Sequence, residues 1–238
     1  IQISDSDDNT IQDNRIGTQP DGETALGNGN YGIVITLTGG DVTGNIIGGS
    51  EAGANDIAFN TADGIFLQRA TSNVRLTEIT HNSIHSNGGE GITFNFTSVN
   101  DSITTPSISS INNSTMPYSV QGGGVQVGDL VQFFADSNNE GQYLVGEFVA
   151  TSTTFDVPLN IAPWDALNLT ATATRTDSGT MKKFTSVFSP ISGVTDIGTI
   201  PPTLTMDVAS GQADPTNTLP VTFDFTADEP ITLLSGNP

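Results

Sequence analysis

N-G-N-Y-G-I-V-I at 28–35, N-T-A-D-G-I-F-L at 60–67 and N-G-G-E-G-I-T-F at 87–94 follow one template. An Asn is followed four residues later by Gly, and then by two apolar residues spaced two apart. Between these stretches runs a second template, an apolar residue, two of any kind, Asn, one of any kind and Ile. It reads Ile11, Asn14, Ile16, then Val42, Asn45, Ile47, then Ile79, Asn82, Ile84. The two templates alternate three times in fixed order. Self-similarity on this scale is the mark of a solenoid, in which each repeat buries its apolar face only against its neighbours.

The spacing assigns roles. Ile33 and Ile35, Ile65 and Leu67, and Ile92 and Phe94 are two apart, so each pair shares one face of a strand. Stacking would turn Ile33, Ile65 and Ile92 into an inward ladder. Gly32, Gly64 and Gly91 precede them, suited to a bend where φ is positive or the backbone is crowded. Asn28, Asn60 and Asn87 suit a left-handed corner. Stacked coils would align their amides so that each bonds the next. Fourteen residues separate Asn14 from Asn28 and fifteen separate Asn45 from Asn60, against five from Asn82 to Asn87. The surplus predicts polar, Gly-rich excursions at Gly17–Leu26 and Gly48–Ile57.

Asn14–Ile35 and Asn45–Leu67 resemble the right-handed parallel β-helix repeats of large exported bacterial proteins. The resemblance covers residues 1–97. It implies a short right-handed parallel β-helix of about three coils. It leaves function open, since adhesins, surface fibres and carbohydrate-active enzymes share that architecture.

After Ser98 the repeat stops. Val125, Val127, Leu130, Val131, Phe133 and the segment Tyr143–Val149 predict strands around a hairpin loop at Asp136–Gly141. Leu167, Leu169, Ala171 and Ala173 alternate with Asn168, Thr170, Thr172 and Thr174, which predicts a half-buried strand. Phe184–Phe188 predicts another. Short strands at this interval predict a β-sandwich over 98–197. Val131–Gly146 and Leu169–Thr174 resemble a sandwich module that follows such β-helices, although Ser178–Ser189 departs from the usual last-strand segment. Pro201-Pro202 opens a third unit, in which Ala209–Thr232 resembles the first strands of bacterial immunoglobulin-like repeats. Residues 198–238 are too few for a whole domain of that kind. The expected class is therefore all-β: parallel β-helix, sandwich, partial Ig-like domain.

Composition excludes several functions. Six Lys and Arg against 26 Asp and Glu give the 238-residue chain a net charge of −20. Such a surface repels phosphate backbones and anionic lipid, which argues against nucleic-acid partners. Without cysteine there is no disulfide scaffold, thiolate metal site or thiol nucleophile. No apolar run is long enough to span a membrane.

Asp5, Asp7 and Asp8 gather hard oxygens in one turn, so calcium is the expected metal if one is bound. A polysaccharide lyase or glycosidase would draw on Arg75, Glu78, His81 and His85, or on pairs such as Asp56 with Asp63 or Asp5 with Asp8. Three coils offer little length for a cleft, and the expectation is no enzyme. The expected role is a structural or adhesive segment of a large extracellular or cell-surface bacterial protein; the alternative is a carbohydrate-binding or carbohydrate-cleaving β-helix. Its expected partners are other copies, the remainder of a longer chain that completes both ends, or surface glycans.

Overall fold

The computed structural model describes residues 1–69, 73–112, 118–159, 168–190, 204–208 and 223–227. These residues are all-β. They belong to two compact units, Ile1–Gly198 and Thr199–Pro238.

The first unit opens with three circuits through parallel sheets. The first runs β1 (Gln2–Ser4), β2 (Thr10–Ile11) and β3 (Arg15–Ile16). The second runs β4 (Ile33–Thr36), β5 (Val42–Thr43), β6 (Ile46–Gly48) and β7 (Asp56–Ala58). The third runs β8 (Ile65–Leu67), β9 (Val74–Arg75), β10 (Glu78–Thr80) and β11 (Ser83–His85), and β12 (Ile92–Phe94) begins another. Each strand pairs in parallel with its counterpart one circuit away, giving the orders β1-β4-β8-β12, β2-β6-β10, β3-β7-β11 and β5-β9.

Register stacks like on like. Ile33, Ile65 and Ile92 form one row, and Ile3, Ile35, Leu67 and Phe94 form the row beside it. Ile11, Ile47 and Ile79 form a third row and Ile16, Ile57 and Ile84 a fourth. Apart from the half-buried Phe94, these side chains are at most 8% exposed and belong to one continuous core.

The rows correct the second template. Val42-x-x-Asn45-x-Ile47 is not the counterpart of the stretches ending at Ile16 and Ile84, because Ile47 stacks on Ile11 and Ile79 while Ile57 stacks on Ile16 and Ile84. Asn-x-Ile stands at two corners of each of the first two circuits, at Asn9 and Asn14 and at Asn45 and Asn55, while Thr77 takes the first of these corners in the third, so the stretch at Asn45 aligns by spacing with the wrong corner. The second excursion is accordingly residues 49–55, around a 3-10 turn at Glu51–Gly53 whose amide Gly53 is capped by Ser50 Oγ. Ile57 lies inside β7, fully buried.

The strands β13 (Ser107–Asn112), β14 (Tyr118–Gly123), β15 (Leu130–Asp136), β16 (Tyr143–Val149), β17 (Thr154–Leu159), β18 (Asn168–Thr176) and β19 (Lys183–Thr185) are antiparallel. They make two sheets, β13-β14-β17 and β16-β15-β18-β19. Phe133 and Phe148 of one sheet contact Phe155 of the other within a second core. The loop at Asp136–Gly141 joins β15 to β16.

The alternating strand is β18, and its Leu167 lies outside the described residues. It is not half-buried. Thr170, Thr172 and Thr174 are at most 3% exposed, like Leu169, Ala171 and Ala173 on the other face. The threonine face packs against the parallel circuits, where Phe134 and Phe188 enter the first core. In the second unit β20 (Leu204–Val208) pairs antiparallel with β21 (Phe223–Ala227). The rest of Ala209–Thr232 lies outside the described residues.

Candidate functional site at the junction of parallel and antiparallel sheets

Several corners of the circuits are built one way. A residue with positive φ ends a strand, and a polar side chain follows it. Asp8, Asp13, Phe59, His81 and Ser86 hold φ between 54° and 64° at such corners. Non-glycine residues enter this region at a cost, so each needs support from its surroundings.

The support is a ladder of amides. Asn28 donates from its backbone N and its Nδ2 to Asn60 Oδ1, at 3.2 and 2.7 Å. Asn60 donates in the same way to Asn87 Oδ1, at 3.1 and 2.9 Å. A second ladder joins Asn14, Asn55 and Asn82, with Nδ2 to Oδ1 distances of 3.0 and 2.8 Å. A third joins Asn9 to Asn45. Gly32, Gly64 and Gly91 stand beside the first ladder in crowded backbone. A Cβ on Gly32 would lie 2.7 Å from Gly64 O, one on Gly64 2.8 Å from Gly91 O, and one on Gly91 2.7 Å from the Phe188 ring.

At the last circuit the antiparallel sheets supply the next rung. Asn87 N is 3.3 Å from both carboxylate oxygens of Glu140, and Asn87 Nδ2 donates to Glu140 Oε1 at 2.9 Å. Thr77 N donates to Asn100 Oδ1 at 2.7 Å. His81 N donates to Gln132 Oε1 at 3.2 Å, and Ile79 N to Thr185 Oγ1 at 2.9 Å. Ile84 and Gly141 exchange backbone bonds as an isolated bridge.

This junction holds both histidines and a group of buried acids. Glu140 is 1% exposed. Burial pushes its carboxyl up to about 7, against the Asn87 hydrogen bond, which favours the charged form; nearby Asp136 raises it further. Asp136, also buried, is raised chiefly by burial although Asn138 N and Gln142 N donate to it. His81 Nε2 lies 3.1 Å from Glu147 Oε2. His85 Nε2 lies 3.2 Å from Asp56 Oδ1 and its Nδ1 3.1 Å from Ser86 Oγ.

The residues singled out for chemistry do not converge. Arg75 is paired with Asp101 and lies near Asp41, while Glu78 holds Lys183 at 3.0 Å and Thr80 Oγ1 at 3.1 Å. Asp63 accepts from Glu90 N, away from the Asp56–His85 pair. In the acidic turn, Asp5 accepts from the Thr38 hydroxyl and from Thr38 N and Gly39 N. The Thr38 hydroxyl leads in holding its carboxyl below the usual range. Asp7 accepts from Thr43 N, and Asp8 is paired with Lys182. Among the described residues no three His, Asp or Glu side chains are grouped to hold a metal ion. No helix there is long and apolar enough to cross a membrane.

A shallow polar depression of about 600 Å³ lies along one flank, lined by Asp13, Asn14, Arg15, Pro20, Ala54 and Asp56. The sequence reading missed Asn9 and Asn55 as rungs, although each opens an Asn-x-Ile of its own. It also missed Asn100, Gln132 and Glu140, which no local pattern marks. Comparison with family models, with curated proteins and with solved structures gives no match to this chain.

Proposed function

We propose that this chain is a structural or adhesive segment of a large extracellular bacterial surface or fibre protein. In this reading residues 1–97 are a right-handed parallel β-helix, 98–197 a β-sandwich and 198–238 the start of an immunoglobulin-like domain. One observation carries it. The polar side chains that a cleft enzyme would hold free for substrate are engaged instead in rungs and pairs, from Asn28 through Asn60 and Asn87 to Glu140. Rigid positioning of coil on coil is what such an arrangement achieves.

The second reading, carbohydrate binding, is supported by the flank depression, where Asp13, Asn14 and Arg15 offer both acceptors and donors. Electron microscopy of the purified chain, with turnover assays on a panel of polysaccharides, separates the two. The structural reading expects rigid rods or filaments and no turnover. Cleavage of any glycan that is lost in D56N would overturn it in favour of the second.

A further inference from the structure

The junction contains a buried hydroxyl and a buried imidazole nitrogen that nothing in the fold uses. Thr172 is 1% exposed and its Oγ1 has no hydrogen-bond partner. His81 Nδ1 is buried and equally unpartnered. Both residues line one small cavity of about 10 Å³, bounded by Ile84, Phe134 and Phe188. A buried polar group left unpaired is costly, so two in one cavity ask for a reason.

Gln132 stands directly opposite Thr172 across β15 and β18 and is fully buried. Opposed side chains on one face of an antiparallel pair have Cβ atoms roughly 5 Å apart, within reach of bond formation. The Gln132 amide is already polarised. Its Oε1 accepts from His81 N at 3.2 Å, and its Nε2 donates to Glu147 Oε2 at 2.8 Å. The same Glu147 oxygen lies 3.1 Å from His81 Nε2. With the imidazole proton held there, Nδ1 keeps its lone pair on the cavity side.

The geometry points to a self-catalysed ester cross-link between Thr172 and Gln132. Thr172 Oγ1 gives its proton to His81 Nδ1 through one water in the cavity and attacks Gln132 Cδ. His81 N–H holds the oxyanion that forms on Oε1. The Cδ–Nε2 bond then breaks, and Nε2 takes the proton back from His81 and leaves as ammonia past the partly exposed Glu147. Thr172 and Gln132 end joined by an ester, His81 returns to its starting state, and no oxidant or cofactor is consumed. The bond ties β15 to β18 beneath the contact with the parallel circuits.

Intact-mass measurement on the full chain, held at about pH 8 where an ordinary histidine is neutral, tests this. The expected mass is one ammonia below that of the sequence, and a digest should join the Gln132 peptide to the Thr172 peptide. T172A should restore the full mass. H81N, which keeps a residue tolerant of positive φ, should slow formation at least tenfold. A succinimide at Asn28-Gly29 or Asn87-Gly88 also loses ammonia but does not depend on Thr172. Full sequence mass in the wild-type chain after prolonged incubation, or a loss that persists in T172A, overturns the proposal.

Discussion

At the residue scale, Glu140 shows how a fold spends stability on a join. Its carboxyl replaces an Asn as the acceptor for Asn87 N and Nδ2, but it brings a charge into a buried place. The ordinary carboxyl value is 4.5, and here it rises to about 7. The folded state therefore holds a proton that the unfolded state releases between those values. Stability from this group is greatest below about pH 4.5, falls as pH rises and reaches its low plateau above 7. The change is on the order of 3 kcal/mol at most. E140Q keeps an acceptor oxygen for Asn87 without the charge. It should raise the unfolding midpoint at pH 8 and flatten the pH dependence from 5 to 7; Asp136, also raised by burial, leaves a weaker slope of the same sign. Chemical denaturation across that pH range is the check, and an E140Q chain with the wild-type slope would sink the assignment. Ile65 tests the core in the same way. It is fully buried between Ile33 and Ile92, and I65A should cost about 2–5 kcal/mol in the same titration.

At the element scale the unit is the rung. Asn60 accepts from Asn28 through Oδ1 and donates through Nδ2 to Asn87 Oδ1 and to Ile16 O. N60A strips partners from both neighbouring circuits and should destabilise the unit by about 2–4 kcal/mol, since buried groups lose their bonds at once. N60D keeps the acceptor for Asn28 but loses the donor and adds a buried charge, so it should fare no better. Hydrogen exchange at the Asn28 amide, whose acceptor is Asn60 Oδ1, reads the loss directly, and unchanged protection there in N60A would show that the ladder carries nothing. The rungs also show what a sequence discloses. Ile33, Ile65 and Ile92 are legible because a short invariant stretch separates each from its own Asn and Gly. The β2 and β3 rows are not, because Asn-x-Ile serves both corners in the first two circuits, Thr77 replaces one Asn in the third, and a seven-residue excursion at 49–55 separates Ile47 from Ile57. Glu140 was illegible for a different reason. It joins Asn87 from 53 residues away, and the residue type changes at the rung.

At the scale of the whole first unit, the antiparallel sheets close the end of the parallel ones. The chain has only six cationic side chains against its net charge of −20, and two of them, Lys182 and Lys183, reach from the antiparallel part to Asp8 and Glu78 of the circuits. The Lys182–Asp8 pair is solvent-exposed and adds little, whereas Lys183 neutralises the buried Glu78; the apolar contact and the rungs carry the rest of the join. Phe134 and Phe188 close over the core that includes Ile84 and Ile92, meeting edge to face at 5.4 Å. Thr77 N, Ile79 N, His81 N, Ile84 N and Asn87 N all find their acceptors in residues 98–190. A chain cut after residue 97 loses every one of these acceptors and uncovers Ile79, Ile84 and Ile92 together. Open sheet ends with unpaired amides beside apolar surface recruit other chains. The cut chain should therefore self-associate and bind a hydrophobic dye, while a chain of residues 1–198 stays dispersed under the same conditions. Sedimentation velocity at several concentrations measures this. F134A in the longer chain is the milder version: it keeps the backbone acceptors and should lose about 3–5 kcal/mol without association. A monomeric, cooperatively folding 1–97 chain, as stable as 1–198, would show that the circuits need no closing and that the two parts are merely neighbours.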